Sequence, residues 1–442
     1  MQISLSEHFT YKKLFRFVLP CVTMMLVTSL YTVTDGFFVS NFVGKNAFAA
    51  LNLIWPFLTI IGAAGFMIGA GGSALISYTL GMGDEKKANE IFTMLVAVLT
   101  VVGVAVSAVS FVFMRPISVF LGAGASTLED CVLYGRILLC ANPLFMLQVA
   151  FQSFLVTAEK PKLGLWISVF SGATNFIFDF LLVYVFSLGV WGAALATAFS
   201  QAVGGVIPIV YFFCKNSSRL RFVKTKLHVS ALWKAAANGS SEMLSNISGS
   251  IVNLIYNYQL LRLVAENGVA AYGAIMYVAF VFAALFIGYA MGCTPIIGYH
   301  YGAGNSRELK SLLQKSLLLT TAASIIMFVL AELLAAPLAK LYVGYDPHLY
   351  AMTVQGMRLF SLSFLLVGFN IFGSAFFTGL NNGKVSALIS FLRTLVIQVI
   401  TILALPLIWG LNGIWLATVV AEALTFIVTL SLLFVNRKKY HY

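Results

Sequence analysis

Asn175 and Asp179 stand four residues apart in an apolar stretch, 163–186, whose only charged residue is Asp179. On a helix that spacing puts the amide and the carboxylate on one face, one turn apart. A carboxylate at the centre of a membrane helix costs about 2.5–3.5 kcal/mol on insertion scales. Such residues face a bundle interior or a watery cavity, where they handle ions, protons or substrate. The next apolar stretch offers Ala193 and Thr197, again four apart, just after the tight connection Ser187-Leu188-Gly189-Val190. A second acid, Asp35, lies deep in the first apolar run, in Thr32-Val33-Thr34-Asp35-Gly36. Two carboxylates, an amide, a hydroxyl and a backbone carbonyl make a set of hard oxygen donors. That set suits a small alkali cation such as Na+, or a proton shared between carboxylates. The competing reading is a polar node that packs helices together, for which hydroxyls and amides alone would suffice.

Other polar residues lie at membrane depth. Glu422, near the middle of the last apolar run, is either a second proton or cation-substrate group or an acid neutralised in the core. Glu242 sits nearer the end of its run, within reach of water. Arg136 and Arg358 are expected to snorkel outward and Arg393 inward. Pro20 removes a helix hydrogen bond and allows a kink, either a hinge or a static bend. Hydrolytic motifs are missing. Gly379-Leu380-Asn381-Asn382-Gly383-Lys384-Val385 has neither the spacing nor the hydroxyl of a phosphate-binding loop, and there is no HExxH. We read no enzyme and no cofactor beyond a coupling ion. Five scattered cysteines form neither a disulfide framework nor a metal site.

Positioning these groups falls to membrane helices. The chain has 442 residues, 60% of them hydrophobic and only 10% charged, with mean hydropathy +0.94. An ordinary soluble domain is about a quarter charged. The net charge of +12 sits in short loops between apolar runs, so it implies membrane topology and not nucleic-acid binding. Runs long enough to span fall near 14–41, 48–79, 91–114, 131–156, 163–186, 190–213, 235–263, 270–300, 314–340, 350–379, 385–408 and 412–436. Twenty of the 27 lysines and arginines lie in one alternating set of segments and four in the other. That asymmetry predicts both termini, and the basic linker 215–234, in the cytoplasm of a multi-pass cell-membrane protein.

The chain also repeats itself. Gly81-Met82-Gly83-Asp84 matches Gly302-Ala303-Gly304-Asn305, and Leu195-Ala196-Thr197 matches Leu416-Ala417-Thr418, both at an offset of 221. Arg136 matches Arg358 and Lys162 matches Lys384 at 222. Each half carries six spans, so the repeat is parallel, with its axis along the membrane normal. The expected fold is therefore an all-α polytopic membrane protein: twelve transmembrane helices in two six-helix bundles, 1–214 and 235–442, joined by the linker. Asn175 and Asp179 map onto Val396 and Ile400, both apolar, and Asp35 maps roughly onto Asn257. A scaffold role would recur in both halves; the acid cluster is confined to the first.

Pro20, Thr34-Asp35-Gly36, the two glycine turns and the run Asn175…Asp179…Gly192-Ala193-Ala194-Leu195-Ala196-Thr197 resemble the MATE (multidrug and toxic compound extrusion) family. The resemblance covers the whole chain. It implies export of organic cations and drugs in exchange for sodium or protons, by rocking between outward- and inward-open states. It also implies a coupling-ion site at Asp35, Asn175, Asp179, the Ala193 carbonyl and Thr197. Some members carry a glutamate midway along helix seven. Here Glu242 comes too early, the middle reads Ser248-Gly249-Ser250, and Glu422 is the candidate substitute, with Asn257 nearby in the second bundle. Expected partners are small, mostly cationic organic substrates and membrane lipid, with the protein working as a monomer. The alternative is a flippase of the same broader superfamily for a lipid-linked precursor. Such a protein needs cationic residues in its cavity, whereas the clearest mid-membrane charges here are acidic.

Overall fold

A computed structural model describes residues 3–442, except the side chains of 31–37, 40, 41, 45, 46 and 266. The described residues form helices and no strands. In order they are α1 Tyr11–Phe38, α2 Lys45–Gly81, α3 Glu85–Val112, α4 Met114–Phe120, α5 Leu128–Thr157, α6 Pro161–Phe178 and α7 Gly189–Phe213. The second half contains α8 Val229–Gly302, α9 Ser306–Val343, α10 Pro347–Ser361, α11 Phe364–Gly379, α12 Gly383–Phe391 and α13 Ile397–Tyr440. Wider π-helical turns follow α1, α6 and α12, at Val39–Val43, Asp179–Val185 and Leu392–Val396.

Nine helical stretches among the described residues are long and apolar enough to cross a membrane, ten if the pair α10–α11, bent by 47°, forms one broken span. One of the nine, Gly383–Tyr440, runs to 58 residues and turns at Gly410 (φ +55), so it crosses twice. α8 breaks at Val264 and Ala265 (φ +53), and its first arm, rich in serine and asparagine, supplies the twelfth crossing. The result is two six-helix bundles related by the repeat. Gly410 is the counterpart of Gly189 (φ +60) at the 221 offset, so both bundles turn at the same place. The helix-free linker covers only 214–228. α8 begins at Val229, where the sequence reading kept linker up to Lys234, because this polar first turn is helical before it enters the apolar layer.

The glycine turns serve three needs at once. Gly83 and Gly304 take positive φ (+85 and +66) to reverse the chain. Asp84 and Asn305 then cap the next helix, accepting from the backbone N–H of Lys87 at 3.0 Å and of Glu308 at 3.1 Å. Gly81 and Gly302 let the halves meet: a Cβ on Gly81 would strike the Tyr299 carbonyl, and one on Gly302 the Tyr78 carbonyl. Tyr78 and Tyr299 are repeat partners, so the contact is reciprocal. Further along, Gly71 packs on Ala235 and Gly239, and a Cβ on Gly288 would lie 2.8 Å from the Cys21 carbonyl oxygen. These close approaches all lie in the half of the protein nearer the linker.

On that face the N-terminal segment ties the bundles together. Leu5 and Phe9 are fully buried. The Leu5 N–H and Ser4 hydroxyl each donate to Glu159 Oε1 at 2.8 Å, and the Phe9 N–H donates to Glu308 Oε1 at 2.9 Å. Glu159 belongs to the first half and Glu308 to the second. Arg219 of the linker adds an ion pair to Glu85 at 2.9 Å and lies 3.5 Å from Glu159. Buried donors left without acceptors cost about 1–3 kcal/mol each. Glu159→Ala and Glu308→Ala should therefore each lower the thermal midpoint of the purified protein by several degrees. Unchanged midpoints in both would show that the segment is no tie.

Candidate functional site

The site is a seam between α6 and α7. Ser171 Oγ lies 2.9 Å from Ser200 Oγ and donates to the Ser200 carbonyl at 2.8 Å, while Gln148 Nε2 donates to Ser171 at 3.1 Å. This contact sets the register of two antiparallel helices. One turn further, Asn175 comes opposite Thr197; another turn brings Asp179 opposite Ala193. The far end of the seam is closed by Gly192, where a Cβ would lie 2.9 Å from the Leu182 carbonyl. Asn175, Asp179, Ala193 and Thr197 are all buried. The seam thus brings together four of the five residues expected from sequence. The fifth, Asp35, falls in α1, and its side chain lies outside the described residues. α1 does run along α6, with Phe38 and Phe176 edge-to-face at 5.5 Å.

Two local features fit a cation. Asp179 opens a π-helical turn, whose wider ring leaves carbonyls unpaired by the usual ladder and occurs often at functional sites. Asn175 Oδ1 is buried and accepts no hydrogen bond among the described residues, so it is an oxygen with capacity to spare. A buried carboxylate, a buried amide oxygen, a hydroxyl and a backbone carbonyl match what a small hard cation takes.

The second half resolves the equivalent position differently. Thr418, counterpart of Thr197, meets Tyr256 Oη at 2.7 Å, and Gln398 Nε2 donates to both at 2.8 and 2.9 Å. At the 221 offset Tyr256 is also the counterpart of Asp35. It is buried, whereas Asn257, the partner expected from sequence, is only half-buried. The second half therefore carries a neutral, satisfied triad where the first carries acid. Nothing in the sequence alone flagged Gln398, because a lone glutamine in an apolar run has no partner until the helices are placed.

Glu422 is held in a buried network. Arg393 Nε binds Glu422 Oε1 at 2.8 Å. Asn370 Nδ2 donates to Glu422 Oε2 at 2.7 Å and to its carbonyl at 2.9 Å, and Thr429 donates to Asn370 Oδ1 at 2.9 Å. Arg393 was expected to snorkel. It pairs instead, because a carboxylate one helix away is a better partner at that depth than a distant interface. Glu242 is half-buried. Pro20 is buried in an unbroken α1, beside the residues that touch Gly288 and Gly292.

Comparison with known proteins agrees with this architecture. The family model MatE matches residues 20–181 and again 242–403, one match per bundle. The chain belongs to the MatE family. Multidrug export protein MepA of Staphylococcus haemolyticus (strain JCSC1435) is 23% identical over 439 residues, covering 98% of this chain and 95% of its own. Among solved structures, MATE in complex with MaL6 superimposes with a TM-score of 0.93 at 22% identity, covering 98% of both chains. The outward-facing conformation of a multidrug resistance MATE family transporter of the MOP superfamily gives the same TM-score and identity over 98% of this chain and 97% of the other. At this identity the structural likeness speaks for the fold. This MatE protein is a multi-pass membrane protein, and its seam and its ion pair occupy opposite bundles.

Removing one partner of a buried ion pair costs about 3–5 kcal/mol, while replacing both with apolar residues is often neutral. Glu422→Ala should thus sharply lower the amount of folded protein recovered from membranes. Arg393→Met/Glu422→Met should recover most of it. A single variant as stable as the parent would show that the pair carries no structural load.

Proposed function

We propose that this protein is a cation-coupled antiporter that exports lipophilic, mostly cationic compounds by alternating access. The observation that carries the reading is the one-sided acid: Asp179 and Asn175 are buried at the α6–α7 seam, and their repeat positions are apolar. Packing needs would recur in both halves, whereas a coupling site need occur only once. Relatives named as multidrug export proteins support a drug-sized cargo.

In this reading Asp179, Asn175, Thr197 and the Ala193 carbonyl hold Na+ or a proton, with Asp35 contributing from α1. The contact between Tyr256 and Thr418, counterparts of positions 35 and 197, supports that placement. The linker face is cytoplasmic by its excess of lysine and arginine. Close packing of the halves on that face then makes this conformation outward-facing. Ion and drug drive export when each prefers the opposite-facing state, since a ligand shifts an equilibrium only by its differential affinity. The flippase reading loses support from Arg393, the cation an anionic headgroup would need, because Glu422 already neutralises it.

Dye efflux from vesicles under a sodium gradient alone, then a pH gradient alone, identifies the ion. Asp179→Asn and Asp35→Asn should each abolish gradient-driven efflux, at least about tenfold, while reaching the membrane in normal amounts. Normal export by both variants would overturn the site assignment.

A further inference from the structure

The two halves treat one pair of repeat positions differently. In the second, Arg358 of α10 faces Glu332 of α9, with Nε and Oε2 3.9 Å apart. The counterparts of these residues, at offsets of 222 and 221, are Arg136 and Phe111. They meet as well, the Arg136 guanidinium lying 5.2 Å from the centre of the Phe111 ring. The first-half arginine therefore keeps its neighbour position but has lost the carboxylate. Glu129, in the first turn of its own helix, is taken by Arg115 at 2.9 Å. Among the described residues no carboxylate lies within ion-pair distance of Arg136. Its side chain is exposed, eight residues into α5 from the face opposite the linker, or about 12 Å along the helix.

Beside Arg136 opens a groove of about 470 Å³, lined by Val104, Ala108, Phe111 and Val112 of α3 and by Cys140 and Pro143 of α5. Its origin is local. A Cβ on Gly103 would lie 3.1 Å from Pro143 Cα, so α3 and α5 nearly touch there. Further out, Ser107 accepts from Asn142 Nδ2 of α5 at 2.9 Å, and the small side chain of Ala108 leaves the space beside it open. In the second half the same positions hold Phe328 and Val329, and Cys140 and Pro143 become Leu362 and Leu365. That half carries bulkier side chains at the groove positions and pairs its arginine. The first half leaves both open together.

We propose that Arg136 and this groove form a site for one anionic glycerophospholipid of the leaflet opposite the linker, with its phosphate on the guanidinium and an acyl chain between α3 and α5. An apolar wall alone accepts any lipid tail; the arginine requires a negative headgroup at one end, and its planar fork suits a phosphate. Within hydrocarbon a lone guanidinium is costly, so a lipid phosphate also supplies the charge that Glu332 provides in the other half.

The test uses the full chain, purified and exchanged into mixed micelles holding equal amounts of phosphatidylglycerol and phosphatidylcholine, with retained lipid read by native mass spectrometry. The parent should retain phosphatidylglycerol about fivefold over phosphatidylcholine, the worth of one basic residue facing an anionic headgroup. Arg136→Gln should bring the ratio to that of the mixture. So should Phe111→Glu, which rebuilds the second-half ion pair and keeps the arginine. Arg358→Gln should leave the preference intact. Arg136→Gln is exposed and should fold, so the test does not depend on the Phe111 variant. An undiminished preference in Arg136→Gln, no preference in the parent, or displacement of phosphatidylglycerol by millimolar inorganic phosphate would each overturn the proposal.

Discussion

Hydrocarbon offers no hydrogen bonds, so every polar group carried into the membrane has to find its partner within the protein or in what the protein binds. The two halves answer that demand at matching positions with different chemistry. Around Thr418 the second half closes a neutral triad with Tyr256 and Gln398. Around Thr197 the first half assembles an acid and an amide whose oxygen accepts no bond from the described residues. At mid-span the second half buries Arg393 and Glu422 as a pair supported by Asn370 and Thr429. The first half has glutamine at the Glu422 position, Gln201, whose Oε1 is buried and accepts no hydrogen bond among the described residues. At these matching positions the second bundle pairs its polar groups, whereas the first leaves amide oxygens without a partner among the described residues.

Two charged residues at membrane depth sit in π-helical turns, Asp179 at the first residue of one and Arg393 inside another. The turns are not repeat partners: each occurs where its own bundle carries charge. A wider turn shifts the following side chains around the axis and frees carbonyls, which lets a charged residue aim into a bundle that its neighbours on a regular helix would not face. The constraint on charge therefore reaches down to the backbone.

Much of this was legible in the sequence, for identifiable reasons. Twelve crossings and the parallel repeat follow from hydropathy and from motifs with a fixed offset. The Gly81 and Gly302 turns repeat because three separate needs (close approach, positive φ and helix capping) act on adjacent residues. Asn175 and Asp179 stood out because a helix makes neighbours of residues four apart. What escaped is what depends on contacts between distant helices. Arg393 is 29 residues from Glu422, and Asn370 is 52 away, so no local spacing links them. At a constant offset of 221 Asp35 falls on Tyr256, one residue before Asn257, because a slip cannot be located within an apolar run where most substitutions are tolerated. The start of α8 was misplaced for a related reason: hydropathy marks where a helix enters the apolar layer, not where its hydrogen bonds begin.

The contacts between the halves bear on how such a molecule changes shape. They combine glycine against backbone at Gly81, Gly302, Gly71 and Gly239 with a side-chain core in which Val18 and Cys21 of the first half pack with Cys293 and Ile297 of the second. Each bundle is held internally by aromatic clusters such as Phe92, Phe151, Phe154 and Phe212. Interiors packed at crystal density move as units, so motion between the bundles concentrates at their boundary. The N-terminal segment spans that boundary through Glu159 and Glu308, two acceptors that a rocking motion would draw apart. Opening on the linker face must therefore break buried hydrogen bonds as well as slide glycines. In the proposed antiport cycle an ion or a drug bound within one bundle biases the two halves only to the extent that it binds one arrangement better than the other; the α6–α7 seam lies against α1, which also touches the opposite half.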